Sequence, residues 1–281
     1  MRTDLAKESR MEAEDIPGIA EETEYKGGLE ITRIDVLTKA ASEQLDKPIG
    51  RYVSIVSPAG AFMDRKARSF IARSLASELH QMAPNVQSAL VIGLGNRYVT
   101  ADALGTKTAE YVLVTRHVHM HMRDLLPNGT PVVASFCANV LGVTGMETAE
   151  VVSALTQKIR PGLVILIDSL AASRTEHLGR FIQCNDSGLA PGAGVGNFRQ
   201  TLSRESLGVP VIALGVPLVV SAETILASNG CDCGADPGTK ELIVTPKDID
   251  AMVKDASRVL SDAVNLMLFG DNYPTLEKVL R

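Results

Sequence analysis

Asp102 and Asp168 are the two side chains whose settings favour chemistry. Asp168 directly follows the apolar run Val164-Ile165-Leu166-Ile167, and Asp102 is delivered by the glycine-punctuated loop Gly93-Leu94-Gly95-Asn96, which leaves another apolar run. Two carboxyls that lie close together cannot both ionise, so one keeps a proton while the other acts as a base. Such a pair activates water and offers a hydrogen bond to a scissile carbonyl. An Asp at a strand end also serves as a helix cap or turn former, and the residues alone leave both readings open.

A third segment, Asn185 to Asn197, carries Gly188, Gly192, Gly194 and Gly196. Backbone N–H groups of such a loop hold anions, but an ordinary active-site loop is the simpler reading. Gly93, Gly95 and Asn96, together with Gly194, Gly196 and Asn197, are expected to shape the cleft. Nucleotide binding is disfavoured: a dinucleotide fingerprint needs a third glycine where the chain has Tyr98, and there is no Walker motif. His117, His119 and His121 alternate and on a strand would share one face. Without a carboxylate at a defined spacing they read as solvated strand surface rather than as metal ligands. Cys231 and Cys233 lack a second ligand pair beside Cys137 and Cys184. Nothing in the spacing sets a Cys137–His117 nucleophile pair above a buried structural thiol. The zincin H-E-x-x-H and the hydrolase elbow G-x-S-x-G are both missing. No cofactor and no metal is expected.

The elements that would position the aspartates follow from hydrophobic periodicity. Ala89 to Gly93, Leu163 to Ile167 and Val211 to Val216 read as buried strands, and Pro131 to Ser135 as another. Ala67 to Met82 has Ile71, Leu75, Leu79 and Met82 at helical spacing, with Pro84 as a stop. Thr144 and Glu147 have the spacing of a capping box before a helix carrying Val151, Val152, Leu155 and Ile159. Thr245 and Pro246 predict the start of a last helix with Ile249, Met252, Val253, Leu260 and Val264 on its apolar face. Buried strands alternating with amphipathic helices predict an α/β single domain, a mostly parallel sheet covered by helices on both faces. In such a sheet ligands bind beyond the carboxyl ends of the strands, which is where both aspartates fall.

Composition removes several functions. The 281 residues carry 28 Lys plus Arg against 33 Asp plus Glu, a net charge of −5, with 4% aromatic residues and no Trp. Neither a basic patch for phosphates nor a stacking platform for single strands is encoded, so no direct nucleic-acid contact is expected. Val209 to Val220, the longest apolar stretch, is short and holds Pro210 and Pro217, so no membrane partner is expected either. The polar start, Met1 to Arg10, and four cysteines predict a soluble, reduced, cytoplasmic protein. Residues 1–28 form an acidic N-terminal arm, in which eight carboxylates and four basic side chains fall before Gly27. The arm reads as solvated and partly mobile; residues 29–281 form the domain proper.

One ordered set of motifs is more specific. It comprises Arg2-Thr3-Asp4-Leu5-Ala6, Gly93 to Asn96 with Thr100 to Gly105, Leu113 to His117, Gly142 to Glu147, Ile167 to Ser173, Pro191 to Asn197, Leu207 to Pro217, and Val244 to Lys247. In this order they resemble the germination protease family of endospore-forming bacteria. The resemblance implies a fold similar to hydrogenase maturation peptidases and an atypical aspartic endopeptidase whose catalytic aspartates fall on Asp102 and Asp168. It implies small acid-soluble spore proteins as substrates, cut in the spore core during germination, and a zymogen that assembles as a homotetramer. Cleavage after an acidic residue implies a basic side chain near the cleft, for which Arg97, Arg116 and Arg174 stand as candidates. The chain starts near the family's mature portion, so most of the leader is absent. It also has a short loop, Ser228 to Glu241, where family members carry a long insertion. Two alternatives accompany this reading. One is a metal-dependent peptidase of hydrogenase-maturation type using Asp102 with His117 or His119, and the other a catalytically idle spore-protein binder.

Overall fold

The computed structural model describes residues 3–12, 16–192, 200–228 and 242–280. Nine strands form one sheet: β1 (Ile19–Lys26), β2 (Leu29–Val36), β3 (Gly50–Val56), β4 (Ser88–Gly93), β5 (Val132–Cys137), β6 (Leu163–Ala172), β7 (Phe181–Asn185), β8 (Val211–Ser221) and β9 (Ile243–Val244). Their order is β1-β2-β3-β7-β8-β6-β4-β5, with β9 on β8. The strands β5, β4, β6 and β8 run parallel, whereas β1, β2, β3, β7 and β8 pair antiparallel. The α/β class is as expected, but the sheet is mixed rather than mostly parallel. The buried apolar runs visible in the sequence are the parallel half. In the other half, β1 and β2 carry exposed or half-buried side chains, and β7 is short, so their signals are weaker.

The helices are α1 (Ala6–Met11), α2 (Lys39–Leu45), α3 (Arg65–Met82), α4 (Leu104–Tyr111), α5 (Arg116–His121), α6 (Leu141–Thr144), α7 (Thr148–Ile159), α8 (Arg204–Leu207), α9 (Ala222–Ser228), α10 (Ile249–Phe269) and α11 (Tyr273–Leu280). They cover both faces, and the two-residue period of the strands decides which side chain meets which layer. Val91, Ile165, Ile167, Ile212 and Leu214 pack with α3 and α10. Their neighbours Leu90, Ile92, Val164, Leu166 and Ala213 pack with Val152 of α7 on the other face. Burial on both faces explains why these strands read as continuous apolar runs.

Several local expectations are corrected. Glu147 caps α7 without a side-chain bond, while Thr144 closes α6 and turns its hydroxyl to Met146. The last long helix starts at Ile249, after Pro246, with Asp248 before it. His117, His119 and His121 lie on the short helix α5, not on a strand; residues two apart on a helix point to opposite sides.

The arm is not a loose tail. Residues 19–26 are β1, joined to β2 by Gly27-Gly28, both at positive φ, with Lys26 opposite Leu29. A two-residue turn of that kind matches the twist of its strands. Leu5 and Ala6 are fully buried, and so is Glu8. The charge count was a sound guide to β1, whose side chains are mostly exposed, but said nothing of its backbone pairing.

Candidate active site

Both aspartates lie where β4 ends. β4 pairs with β6 as far as Gly93 opposite Ile167, and the Leu94 N–H still reaches the Ile167 carbonyl at 2.8 Å. Beyond that point the chain turns away and β6 continues with β8 along one side. Asp168 is the first residue of β6 past the end of β4. Asp102 comes back to the same place at the end of a 3-10 turn, Thr100–Asp102. Its carboxylate accepts the Asn96 N–H at 2.7 Å, and the Asn96 side chain accepts the Tyr98 N–H at 3.0 Å, so the loop and the aspartate brace each other.

Close packing of glycine makes the approach possible. Gly95 has a φ of +89°, and a side chain there would collide with the Asp102 carbonyl. Gly105, at the start of α4, lies against the Ile167 carbonyl and Leu94, where no Cβ fits. These two positions lack a side chain because backbone from another element occupies its space. Gly93, in turn, packs against Gly105.

Asp102 and Asp168 line one cavity of about 590 Å³, a size that suits a peptide side chain and its backbone. Asp168 is only 7% exposed, and its Oδ1 accepts the Ser169 N–H at 2.9 Å. Burial first, then the neighbouring Asp102 and Asp4, pushes its carboxyl well above the usual carboxylate range. The direction is that of a site holding one proton between two acids. Ser169 Oγ is buried beside it with no hydrogen-bond partner among the described residues.

Of the other residues picked from the sequence, Gly95 lines the cavity, and Gly93 and Asn96 support it from behind. Gly194, Gly196 and Asn197 lie outside the described residues, as do Cys231 and Cys233; the preceding Gly188, Pro191 and Gly192 do line the cavity. The three arginines are not brought to it. Arg97 is exposed and pairs with Glu110 at 3.1 Å, Arg116 is exposed at the start of α5, and Arg174 faces Glu176 at 3.8 Å. Cys137 donates to the Thr106 carbonyl at 3.3 Å, and burial pushes its thiol up, while His117 is exposed on α5. Among the described residues, no group of three or more His, Cys, Asp or Glu could hold a metal ion, and no helix is long and apolar enough to cross a membrane.

Three charged residues of the cavity were missed, Asp4, Asp46 and Lys47; Lys47 is the one Lys or Arg among its described lining residues. Asp46 and Lys47 follow α2, and Asp4 belongs to an N-terminal segment threaded along β6. Asp4 bonds Ala171 in both directions, its N–H to the carbonyl at 3.0 Å and its carboxylate to the N–H at 2.7 Å. Gln183 grips the same segment, donating to the Asp4 carbonyl at 2.8 Å and accepting the Ala6 N–H at 2.7 Å. Lys47 Nζ donates to the Thr3 carbonyl at 2.9 Å. Further along, the buried Glu8 carboxylate accepts from Ser173 N–H and hydroxyl, Arg174 N–H and Thr3 hydroxyl, and meets His177 Nδ1 at 2.6 Å. Burial pushes the Glu8 carboxyl up, but these bonds outweigh it and hold it below its ordinary value. Periodicity cannot find contacts spanning some 167 positions; the stretch Arg2 to Ala6, part of the family resemblance, was the available signal.

The chain matches the germination protease family over residues 1–232. The germination protease of Clostridium perfringens (strain 13 / Type A) is 36% identical over 308 residues, covering 95% of each chain. That of Bacillus subtilis (strain 168) is 37% identical over 242 residues, covering 82% of this chain and 66% of the relative. Among solved structures, the NiFe hydrogenase maturation protease HycI from Thermococcus kodakarensis KOD1 is similar with a TM-score of 0.39 and 16% identity, over 66% of this chain and 98% of that one. On the family match over residues 1–232 and the similarity to the Clostridium perfringens protease over 95% of its length, the chain is a peptidase and belongs to the germination protease family.

Proposed function

We propose that this peptidase is an endopeptidase of aspartic type that starts the degradation of small acid-soluble spore proteins during germination, acting in the spore core as a homotetramer. The observation that carries the mechanism is the pairing in one cavity of Asp102 with a buried Asp168, whose carboxyl burial and the neighbouring acid push above the usual carboxylate range. Asp168 enters the reaction neutral and donates its hydrogen bond to the scissile carbonyl oxygen. Asp102 takes a proton from the water as its oxygen attacks the carbonyl carbon, and that proton passes to the leaving amine when the C–N bond breaks. The low-dielectric wall around Asp168 strengthens its donated hydrogen bond at the moment charge gathers on the oxygen. A largely disordered substrate enters such a cleft as an extended segment without first unfolding a domain.

The test is cleavage of a purified small acid-soluble spore protein, with the fragments read by mass spectrometry. Asp102→Asn and Asp168→Asn are each expected to lower kcat by about 10²–10⁴-fold while the proteins stay folded. Full activity in either variant, activity lost to a chelator and restored by a divalent ion, or binding without cleavage would each overturn the aspartic mechanism.

A further inference from the structure

The cavity does not end at the aspartates. Val219 of β8 lines it, and so do Ile243 of β9 and Thr245 just after it. The strand register measures how far away they are. Val219 is paired with Ala171, three residues past Asp168 on β6, roughly 10 Å along a strand that rises about 3.3 Å per residue. β9 lies one strand further across, with Ile243 opposite Ser221 of β8, which puts this end of the cavity about 10–15 Å from Asp168. An extended peptide covers that distance in about three to five residues. The chemistry here differs from that around the aspartates, because none of the three side chains is charged. Leu242, Ile243 and Val244 are moreover three apolar side chains in succession, exposed to 58%, 48% and 39%. A surface run of that kind is a fault unless it has a function, and Ile243 gives it one by opening onto the cavity.

We propose that Val219, Ile243 and Thr245 form a subsite that takes an apolar side chain of the extended substrate, about three to five residues from the bond that is cut. The inference rests on the reading of this cavity as the peptidase site and adds to it a recognition element remote from the chemistry. The occupant is a substrate side chain because the three residues share one cavity with Asp102 and Asp168, so a chain laid over the aspartates runs on to them. An extended segment turns alternate side chains to one wall, and one residue at this distance faces Ile243. Its contact with Ile243 and Val219 removes apolar surface of both partners from water. Binding energy gained so far from the scissile bond serves to orient the chain over the aspartates. Specificity then extends beyond the residues next to the cut.

The experiment maps the main cut in a small acid-soluble spore protein by mass spectrometry and then uses a peptide extending about six residues to each side of it. Each residue about three to five from the cut is replaced in turn by Asp, and kcat/KM is measured with the full chain, Ile243→Lys and Leu242→Lys. At one position Asp is expected to lower kcat/KM of the parent about tenfold or more. Ile243→Lys is expected to lose a similar factor on the unsubstituted peptide and to regain it on that Asp peptide, a coupling that general damage to the enzyme would not produce. Leu242→Lys changes an exposed neighbour that does not line the cavity and is expected to keep the preference of the parent. Should Ile243→Lys not fold, Thr245→Lys carries the same expectation. A preference that is the same in the parent and the cavity variant overturns the proposal, as does an equal change in Leu242→Lys. Full activity in both Asp102→Asn and Asp168→Asn would remove the reading of the cavity, and the subsite with it. Activity lost in those two variants, with an unmoved preference in Ile243→Lys, overturns the subsite alone.

Discussion

Replacing Glu8 by alanine discriminates between a solvated arm and a built-in one. Glu8 is fully buried, and its carboxylate collects bonds from Thr3, Ser173, Arg174 and His177. Hydrogen bonds to a charged group contribute about 1.5–3 kcal/mol each, but their sum overstates the effect because water enters the space and the losses are not additive. Breaking a buried ionic cluster by removing one partner costs about 3–5 kcal/mol, and we expect that range for Glu8→Ala. An exposed residue of a loose tail would change stability by no more than about 0.5 kcal/mol. At roughly 2–4 °C per kcal/mol for a domain of this size, the melting temperature falls by roughly 6–20 °C. The chain has no Trp, so urea and thermal unfolding are followed by far-UV circular dichroism. The pH dependence has a fixed sign. The Glu8 carboxyl sits below its ordinary value in the fold, so its contribution is complete above the ordinary carboxylate range and is lost as pH falls through the lowered folded value. The gap between parent and variant is therefore constant near neutrality and closes in acid. A gap below about 1 kcal/mol at pH 7 would refute the idea that the segment is anchored through this carboxylate.

On the proposed mechanism Asp168→Asn loses most of its activity, yet it should gain stability relative to the parent as pH rises from acid to neutral and alkaline. A carboxyl raised in the fold favours folding at pH below its ordinary value, and that contribution is lost as pH rises through the raised value; the amide has no such loss. Denaturation at pH 5 and pH 8 checks this, the parent losing stability relative to the variant between the two; an equal gap at both would contradict it. Gly95→Ala places a methyl against the Asp102 carbonyl at a φ of +89°, a strain of about 1–3 kcal/mol. It should lower kcat for the spore-protein substrate strongly while helix content by circular dichroism stays unchanged, and normal turnover would mean that the loop is not held against Asp102.

How legible the molecule was in its sequence depends on what each element buries. β4, β6 and β8 contribute Val91, Ile165 and Leu214 to one face and Leu90, Val164 and Ala213 to the other, so their apolar runs are unbroken and their place in a parallel sheet follows. β1 has no buried side chain and is held by backbone pairing to β2 and by surface ion pairs such as Arg33–Glu24, which composition cannot register. Its acidic content was read as solvation, and that was true of the side chains only. Asp102 and Asp168 were found because strand ends converge in a parallel sheet. Asp4 and Lys47 were not, because they reach the cavity through tertiary contacts of a segment whose own pattern is polar. The histidines of α5 misled for the opposite reason: a two-residue alternation indicates one face on a strand, and α5 is a helix.

The same strand ending explains both the position of the cavity and the place where the N-terminal segment lies against β6. A parallel sheet interior offers an acid little hydration, which is what raises the proton affinity of Asp168. Such an acid becomes reachable only where a neighbouring strand stops, as β4 does at Gly93, and a stopped strand leaves backbone groups of β6 to be satisfied. Water could satisfy them, but water there would also hydrate Asp168 and draw it toward ionisation. Asp4 and the Gln183-held segment fill the edge with protein instead. Burial pushes the Asp4 carboxyl up as well, and the Ala171 N–H and the Lys47 ammonium beside the segment offset only part of that.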